Sequence, residues 1–176
     1  MSLNLDKTHS SVEFSVKHMG LATVRGRFEE FDVDVTVDER GVPTRITAEI
    51  DAASITTGND GRDPHLRSAD FFDVENHPKV RFESTAITPK GDGHEVQGQL
   101  TIRGVTKPVT FQAELSEFIT DPWGNPRIAA EASGKLDRTD WGLTWNQVLE
   151  AGSFLVSEEV RFTIAVQMVR QAEVAA

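Results

Sequence analysis

Apolar and polar residues alternate along most of this chain. Val12, Phe14 and Val16 interleave with Glu13, Ser15 and Lys17, and Phe31, Val33, Val35 and Val37 with Asp32, Asp34 and Thr36. Successive side chains on a strand point to opposite faces, so this period of two predicts strands with one buried face. The same pattern returns over residues 46–50, 80–86, 96–102, 109–115, 128–136 and 160–168. Eight strands are predicted, and residues 24–28 either begin or split one of them. Between them, residues 39–43, 89–93, 103–108 and 121–126 are short, Gly- and Pro-bearing connections of hairpin type. Strands joined in this way are antiparallel neighbours. A run of them with one apolar face must stack on a second sheet or close on itself as a barrel.

Two stretches break the alternation. Residues 63–73 read as helical in short turns, with Asp63 as a cap, Pro64 at the first helical position and Ser68 capping the next turn. His77-Pro78 ends that stretch. Residues 145–151 read as a weaker helical turn ended by Gly152. No linker, low-complexity run or repeat divides the chain. One domain over residues 1–176 is therefore expected, large enough to bury roughly 70% of its unfolded surface.

The sizes of the inward-phase residues are uneven. Ala48, Ser84, Ala86, Gly98, Ala113, Ala130, Ala132 and Gly134 fall in phase with Phe14, Phe28, Phe82, Phe111 and Phe162. A barrel of about eight strands is either filled by its own side chains or holds one small ligand. The small residues predict a cavity, unless the 63–73 segment or another sheet packs closely over them. A cavity so lined suits an elongated hydrocarbon. At roughly 0.8 kcal/mol per methylene, a tail of 15–20 carbons yields on the order of 12–16 kcal/mol gross, against an association cost of about 4–15 kcal/mol.

Charge and composition narrow the partners. With 18 Lys and Arg against 28 Asp and Glu, the formal net charge is −10. Such a chain lacks the clustered cations that phosphate backbones or anionic lipid headgroups require. Neither nucleic acid nor stable membrane insertion is expected, and no window approaches the roughly 20 apolar residues of a membrane-spanning helix. Cysteine is absent, which removes disulfides, thiolate nucleophiles and Cys-based zinc sites. Met1 to Glu13 shows no basic segment followed by an apolar one, so a cytoplasmic location is expected.

Candidate chemistry is sparse. Of His9, His18, His65, His77 and His94, only His65 has close ligand-type spacing, to Asp63, and no metal or other cofactor is expected. Asp6, His9 and Ser10 hold the residue types of a hydrolytic triad without a nucleophile elbow, and turn hydrogen bonds at the chain entry are the expectation. Arg62 and Arg67 are placed to pair with Asp63, Asp70 or Asp73, fixing the segment against the barrel. Phe71 and Phe72 then either plug the barrel end or, with Leu66, touch a ligand. Gly104 and Gly142 read as turn glycines, since no phosphate-cradling motif is present.

These residues resemble a known family. The run from Asp6 to His18 (DKTHSSVEFSVKH) is similar to the opening signature of the YceI-like polyisoprenoid-binding family, and residues 53–59, 62–73 and 77–82 to its central motif. Residues 98–109 (GQLTIRGVTKPV) and 138–143 (RTDWGL) resemble its later motifs, so the likeness runs from about residue 3 to 170. The resemblance implies an all-β, antiparallel, eight-stranded lipocalin-like barrel with a short helical segment near one end. It implies a long apolar ligand, an isoprenoid, its quinone or a fatty amide, with no catalytic residue and commonly a homodimer. Carried over by position, Phe14, Val16, Phe28, Phe82, Leu100 and Phe111 would line the pocket, and Leu66, Phe71, Phe72 and Trp145 would lie near its ends. Phe162 joins the lining by phase. The resemblance also implies an export signal and a periplasmic location for many members, whereas residues 1–13 lead to the expectation of no such signal here. The expected function is non-enzymatic binding, storage or transport of a long-chain isoprenoid-type lipid. Two alternatives are a lipid isomerase or hydrolase using Asp63, His65 or His9, and an interaction domain with a filled barrel.

Overall fold

The computed structural model describes residues 2–170. Its strands are β1 (Ser2–His18), β2 (Ala22–Phe28), β3 (Phe31–Val37), β4 (Pro43–Asp51), β5 (Ile55–Thr56), β6 (Lys79–Lys90), β7 (Gly93–Ile102), β8 (Val105–Leu115), β9 (Ile119–Thr120), β10 (Pro126–Asp137) and β11 (Glu159–Arg170). A short helix, α1 (Asp63–Arg67), sits between β5 and β6. All strand pairings are antiparallel, and β1, β3, β4, β6, β7, β8, β10 and β11 form a ring in which β11 returns to β1. The result is a closed eight-stranded barrel whose ring has no free edge, with the short strands β5 and β9 attached at β2 and β10.

Residues 24–28 begin a strand. β1 is long enough to pair with β2 through Val12–His18 and with β3 through Ser2–Leu3, so β2 and β3 are two halves of one bent strand. The bend is matched by a bulge in β1, where the register against β11 slips between Asp6 and Ser11. Asp6 organises the bulge: its carboxylate accepts from the Thr8 backbone and meets His9 Nδ1 at 3.0 Å, and its backbone oxygen accepts from the Ser10 hydroxyl at 2.7 Å. These are the turn hydrogen bonds expected at the chain entry, and the Ser10 hydroxyl donates to a backbone carbonyl and accepts from Gln167 N.

The alternation places the core. Along β3, Phe31, Val33, Val35 and Val37 are buried while Asp32 and Asp34 are exposed. Hairpin turns fall at the expected glycines; Arg103 and Gly104, both at positive φ, form the two-residue turn between β7 and β8. The connections that are not tight hairpins, residues 52–78 and 138–158, leave the barrel at the end where β1 turns into β2. The other end is shut: Leu3, Val37, Val96, Ile128 and Met168 are each at most 3% exposed and form a solid floor.

The structure corrects two local expectations. Residues 145–151 are not helical; Val148 bridges Phe154 and the chain turns at Leu149–Gly152. The cause is tertiary: the Arg138 guanidinium collects the carbonyls of Leu143, Trp145 and Ser157 at 2.6–2.9 Å, and within the segment Gln147 O accepts from Leu155 N while Leu149 N donates to Ser153 O, so its backbone groups pair outside any helical ladder. Asp63 does not cap α1 with its side chain. Its buried carboxylate instead accepts from the Thr57 backbone N–H and from the hydroxyls of Thr56 and Thr57. Ser68 does close the following turn, with its hydroxyl donating to His65 O and accepting from Asp70 N.

Candidate functional site: a blind apolar cavity

The barrel is hollow above its floor. A cavity of about 420 Å3 runs from the middle of the barrel to the end covered by residues 62–73 and 141–157. Phe14, Phe82, Phe111 and Phe162 face inward yet remain only half-buried, because they border open space instead of packed neighbours. Residues of every long strand contribute to the wall, and nearly all are apolar.

The glycines do not make this space in the way their size suggested. A Cβ on Gly98 would lie 2.4 Å from the Phe82 ring, one on Gly134 2.7 Å from the Phe162 ring, and one on Gly26 2.3 Å from the Phe14 ring. Each glycine is therefore roofed by a phenyl ring from the neighbouring strand. The rings lie back against the wall, and the lumen stays open because they do not stand up into it. Phe82, Phe111 and Phe162 continue as a row with centroids 5.4 and 5.8 Å apart, and Phe14, Phe28 and Phe72 as a second row at 5.7 Å. Aromatic pairs prefer such tilted and edge-on arrangements. Ala48, Ala113, Ala130 and Ala132, by contrast, do border the cavity.

All eleven residues singled out in the sequence border this space. Phe14, Val16, Phe28, Phe82, Leu100, Phe111 and Phe162 lie on the strands, and Leu66, Phe71, Phe72 and Trp145 on the covering segments. The last four gather at one end, since the other is floor. Phe71, 6% exposed, packs against Trp145 at 5.5 Å and His65 at 5.1 Å, with the Arg138 guanidinium 5.9 Å above its ring. Arg103 donates to its carbonyl at 2.8 Å. Phe71 is thus a fixed plug, whereas Phe72, edge-on to Phe28, faces the lumen. The alternating phase also implied Val33, Val35, Ile46 and Ile50, which border the cavity as well.

The polar groups at the mouth are held by the protein itself. Arg67 donates to the carbonyls of Ala53 and Ile55, and Arg62 Nε to the Thr57 hydroxyl, in place of the carboxylates expected for them. Asp70 turns to His65 Nε2 at 2.8 Å, and Asp73 to the Asn76 amide. Burial would raise the Asp63 carboxyl, but the hydrogen bonds from Thr57 and Thr56 outweigh it and hold the group below its ordinary range. Burial draws the Arg138 guanidinium below its usual value, partly countered by Glu158 and Asp137. Arg138 had no assigned role in the sequence reading. Its place in the 138–143 motif does not reveal that role, because its acceptors are backbone carbonyls up to nineteen residues away.

At the mouth the Ser68 hydroxyl donates to a backbone carbonyl and His65 is engaged by Asp70, so these two side chains do not pair as nucleophile and base. Among the described residues, no three His, Asp or Glu side chains converge on a metal position. What the arrangement can do is enclose an apolar chain, away from water, with one polar end at the mouth.

The model of the YceI-like domain matches residues 3–168. A UPF0312 protein of Serratia proteamaculans is 39% identical over 163 residues, covering 92% of this chain and 82% of its own. Among solved structures, Burkholderia cenocepacia BcnA superposes with a TM-score of 0.80 at 22% identity, covering 93% of this chain and 99% of that one. A polyisoprenoid binding domain from Saccharophagus degradans, implicated in plant cell wall breakdown, has a TM-score of 0.68 at 18% identity, covering 96% and 98%. At these identities the two structures share the fold. With the family model spanning the barrel from its first strand to its last, this chain belongs to the YceI-like family.

Proposed function

We propose that this chain binds a long-chain isoprenoid-type lipid inside its barrel, as a non-enzymatic store or carrier. The carrying observation is the apolar cavity of about 420 Å3, floored at one end and walled by two rows of phenylalanine. Taking roughly 30 Å3 for each methylene-sized group, the share of one water in the liquid, it has room for on the order of fourteen carbons. At about 0.8 kcal/mol each, that tail yields roughly 11 kcal/mol gross, comparable to the cost of association. A short ligand gains too little, and a long one fills the lumen with its polar end outward. Membership of the YceI-like family and the polyisoprenoid-binding name of a neighbour with the same fold support this reading.

Native mass spectrometry of the purified protein should reveal a co-purified lipid. Delipidated protein should take up a polyprenol, an isoprenoid quinone or a fatty amide at one per chain and return it unaltered. Failure with all three classes overturns the reading. Chemical turnover that disappears in His65→Ala would replace it with an enzymatic one.

A further inference from the structure

Large apolar side chains stand exposed at both ends of the barrel, but one set borders the cavity mouth. Met19 and Leu21, in the turn between β1 and β2, are 44% and 82% exposed; Val148 and Phe154, in the 138–158 connection, are 66% and 49% exposed. The two loops form one surface. Met19 N donates to Leu155 O at 2.8 Å, His18 bridges Val156, and Val148 bridges Phe154. His18, Leu155 and Val156 of these same loops also line the cavity. The exposed apolar rim is therefore continuous with the lumen, and contiguous exposed apolar surface of this kind marks an interaction site.

The chemistry of the cargo identifies the partner. A hydrocarbon chain resides in bilayers, and a mouth kept away from the bilayer would force it through water. Attraction to anionic headgroups is weak overall, because the chain carries a net charge of −10 and Glu150 and Glu158 of the 138–158 connection offset Lys17 at the mouth. Contact must then rest on the apolar side chains, as in shallow interfacial insertion. We propose that Met19, Leu21, Val148 and Phe154 dip into the surface of a lipid bilayer, turning the mouth to the hydrocarbon so that cargo passes without crossing bulk water. This rests on the lipid-binding reading above. Ile119 and Trp123, 67% and 80% exposed, belong to the β9–β10 hairpin at the floored end, where no passage leads inward.

The test uses full-length delipidated protein and phosphatidylcholine vesicles containing a pyrene-labelled long-chain alcohol. Transfer to wild-type protein should speed up with vesicle concentration and be insensitive to salt. The double variant Leu21→Glu, Phe154→Glu should slow transfer at least about tenfold, since two apolar anchors are lost, while equilibrium uptake of the same alcohol from detergent is unchanged. Trp123→Glu should leave both unchanged. Normal uptake from detergent with no effect of the double variant on transfer overturns the docking surface and leaves the cavity reading intact. Absence of uptake even from detergent overturns the cavity reading itself. Slowed transfer in Trp123→Glu alone overturns the orientation. A wild-type dimer that ignores vesicles and dissociates in the double variant assigns the rim to a second copy of this chain, also against the proposal.

Discussion

Filling the lumen is the sharpest test of its hollowness, and Ala132 is the position to use. Ala132 lies on β10 between Ala113 and Ile164, all three bordering the cavity. In Ala132→Phe a phenyl ring enters the lumen and displaces about six methylene-sized groups of cargo. At roughly 0.8 kcal/mol each, the loss approaches about 5 kcal/mol, more than a thousandfold in Kd. Stability should hardly change, because the ring enters empty space and meets no packed neighbour. The assay pairs calorimetric titration of a polyprenol into delipidated protein with a thermal melt of each variant. If the site were packed core, the ring would cost about 1–3 kcal/mol by overpacking, lowering Tm by roughly 2–12 °C. A lowered Tm with unchanged ligand affinity in the folded fraction would refute the reasoning.

The glycines should behave differently from Ala132. In Gly98→Ala the new methyl meets the Glu83 carbonyl at 2.5 Å as well as the Phe82 ring, so a destabilisation of about 1–3 kcal/mol is expected by denaturant unfolding. In Gly134→Ala the obstruction is the far end of the Phe162 ring, which can swing into the lumen. Lipid affinity should then fall more than stability, and equal falls in both would argue against ring displacement. Replacing Arg138 by Met leaves several carbonyls of residues 143–157 without their donor; hydrogen exchange of Leu155 and Gly152 should accelerate, at a cost of about 2–5 kcal/mol. Arg138→Lys should rescue little, since a single ammonium cannot reproduce the fork. The Asp121 carboxyl is held at about 2, below its ordinary 3.8, by the Arg127 guanidinium and the Asn125 N–H. Because the folded value lies below the unfolded one, its contribution is complete above about pH 4 and disappears as pH falls through about 2. Asp121→Asn should therefore flatten the acid limb of the unfolding curve, and an unchanged limb would deny the pair that role.

Much of this molecule is written in local pattern. The alternation in residues such as Phe31 to Val37 specifies which side chain faces in, because a strand has a period of two wherever it is placed. Turn residues such as Arg103-Gly104 specify where the chain reverses. Together they determine antiparallel neighbours and an inward set that includes the seven strand residues expected at the cavity, whereas Leu66, Phe71, Phe72 and Trp145 lie on the segments that break the alternation. What those inward residues do to one another depends on register between strands distant in sequence. Whether Phe162 stands in the lumen or lies over Gly134 follows from the pairing of β11 with β10, and Phe82 meets Gly98 only because β6 and β7 align as they do. The 145–151 segment lost its local helical tendency to Arg138, whose buried charge is satisfied by carbonyls that only the closed barrel brings within reach. Periodicity chose the faces of the strands except beyond the bulge in β6, where Ala86, expected inward, is exposed and Ile87 takes the inward place opposite Val96. The void, the mouth beside residues 62–73 and 141–157 and the floor opposite it were decided by closure, because empty space belongs to no single segment and exists only between surfaces that the ring has joined.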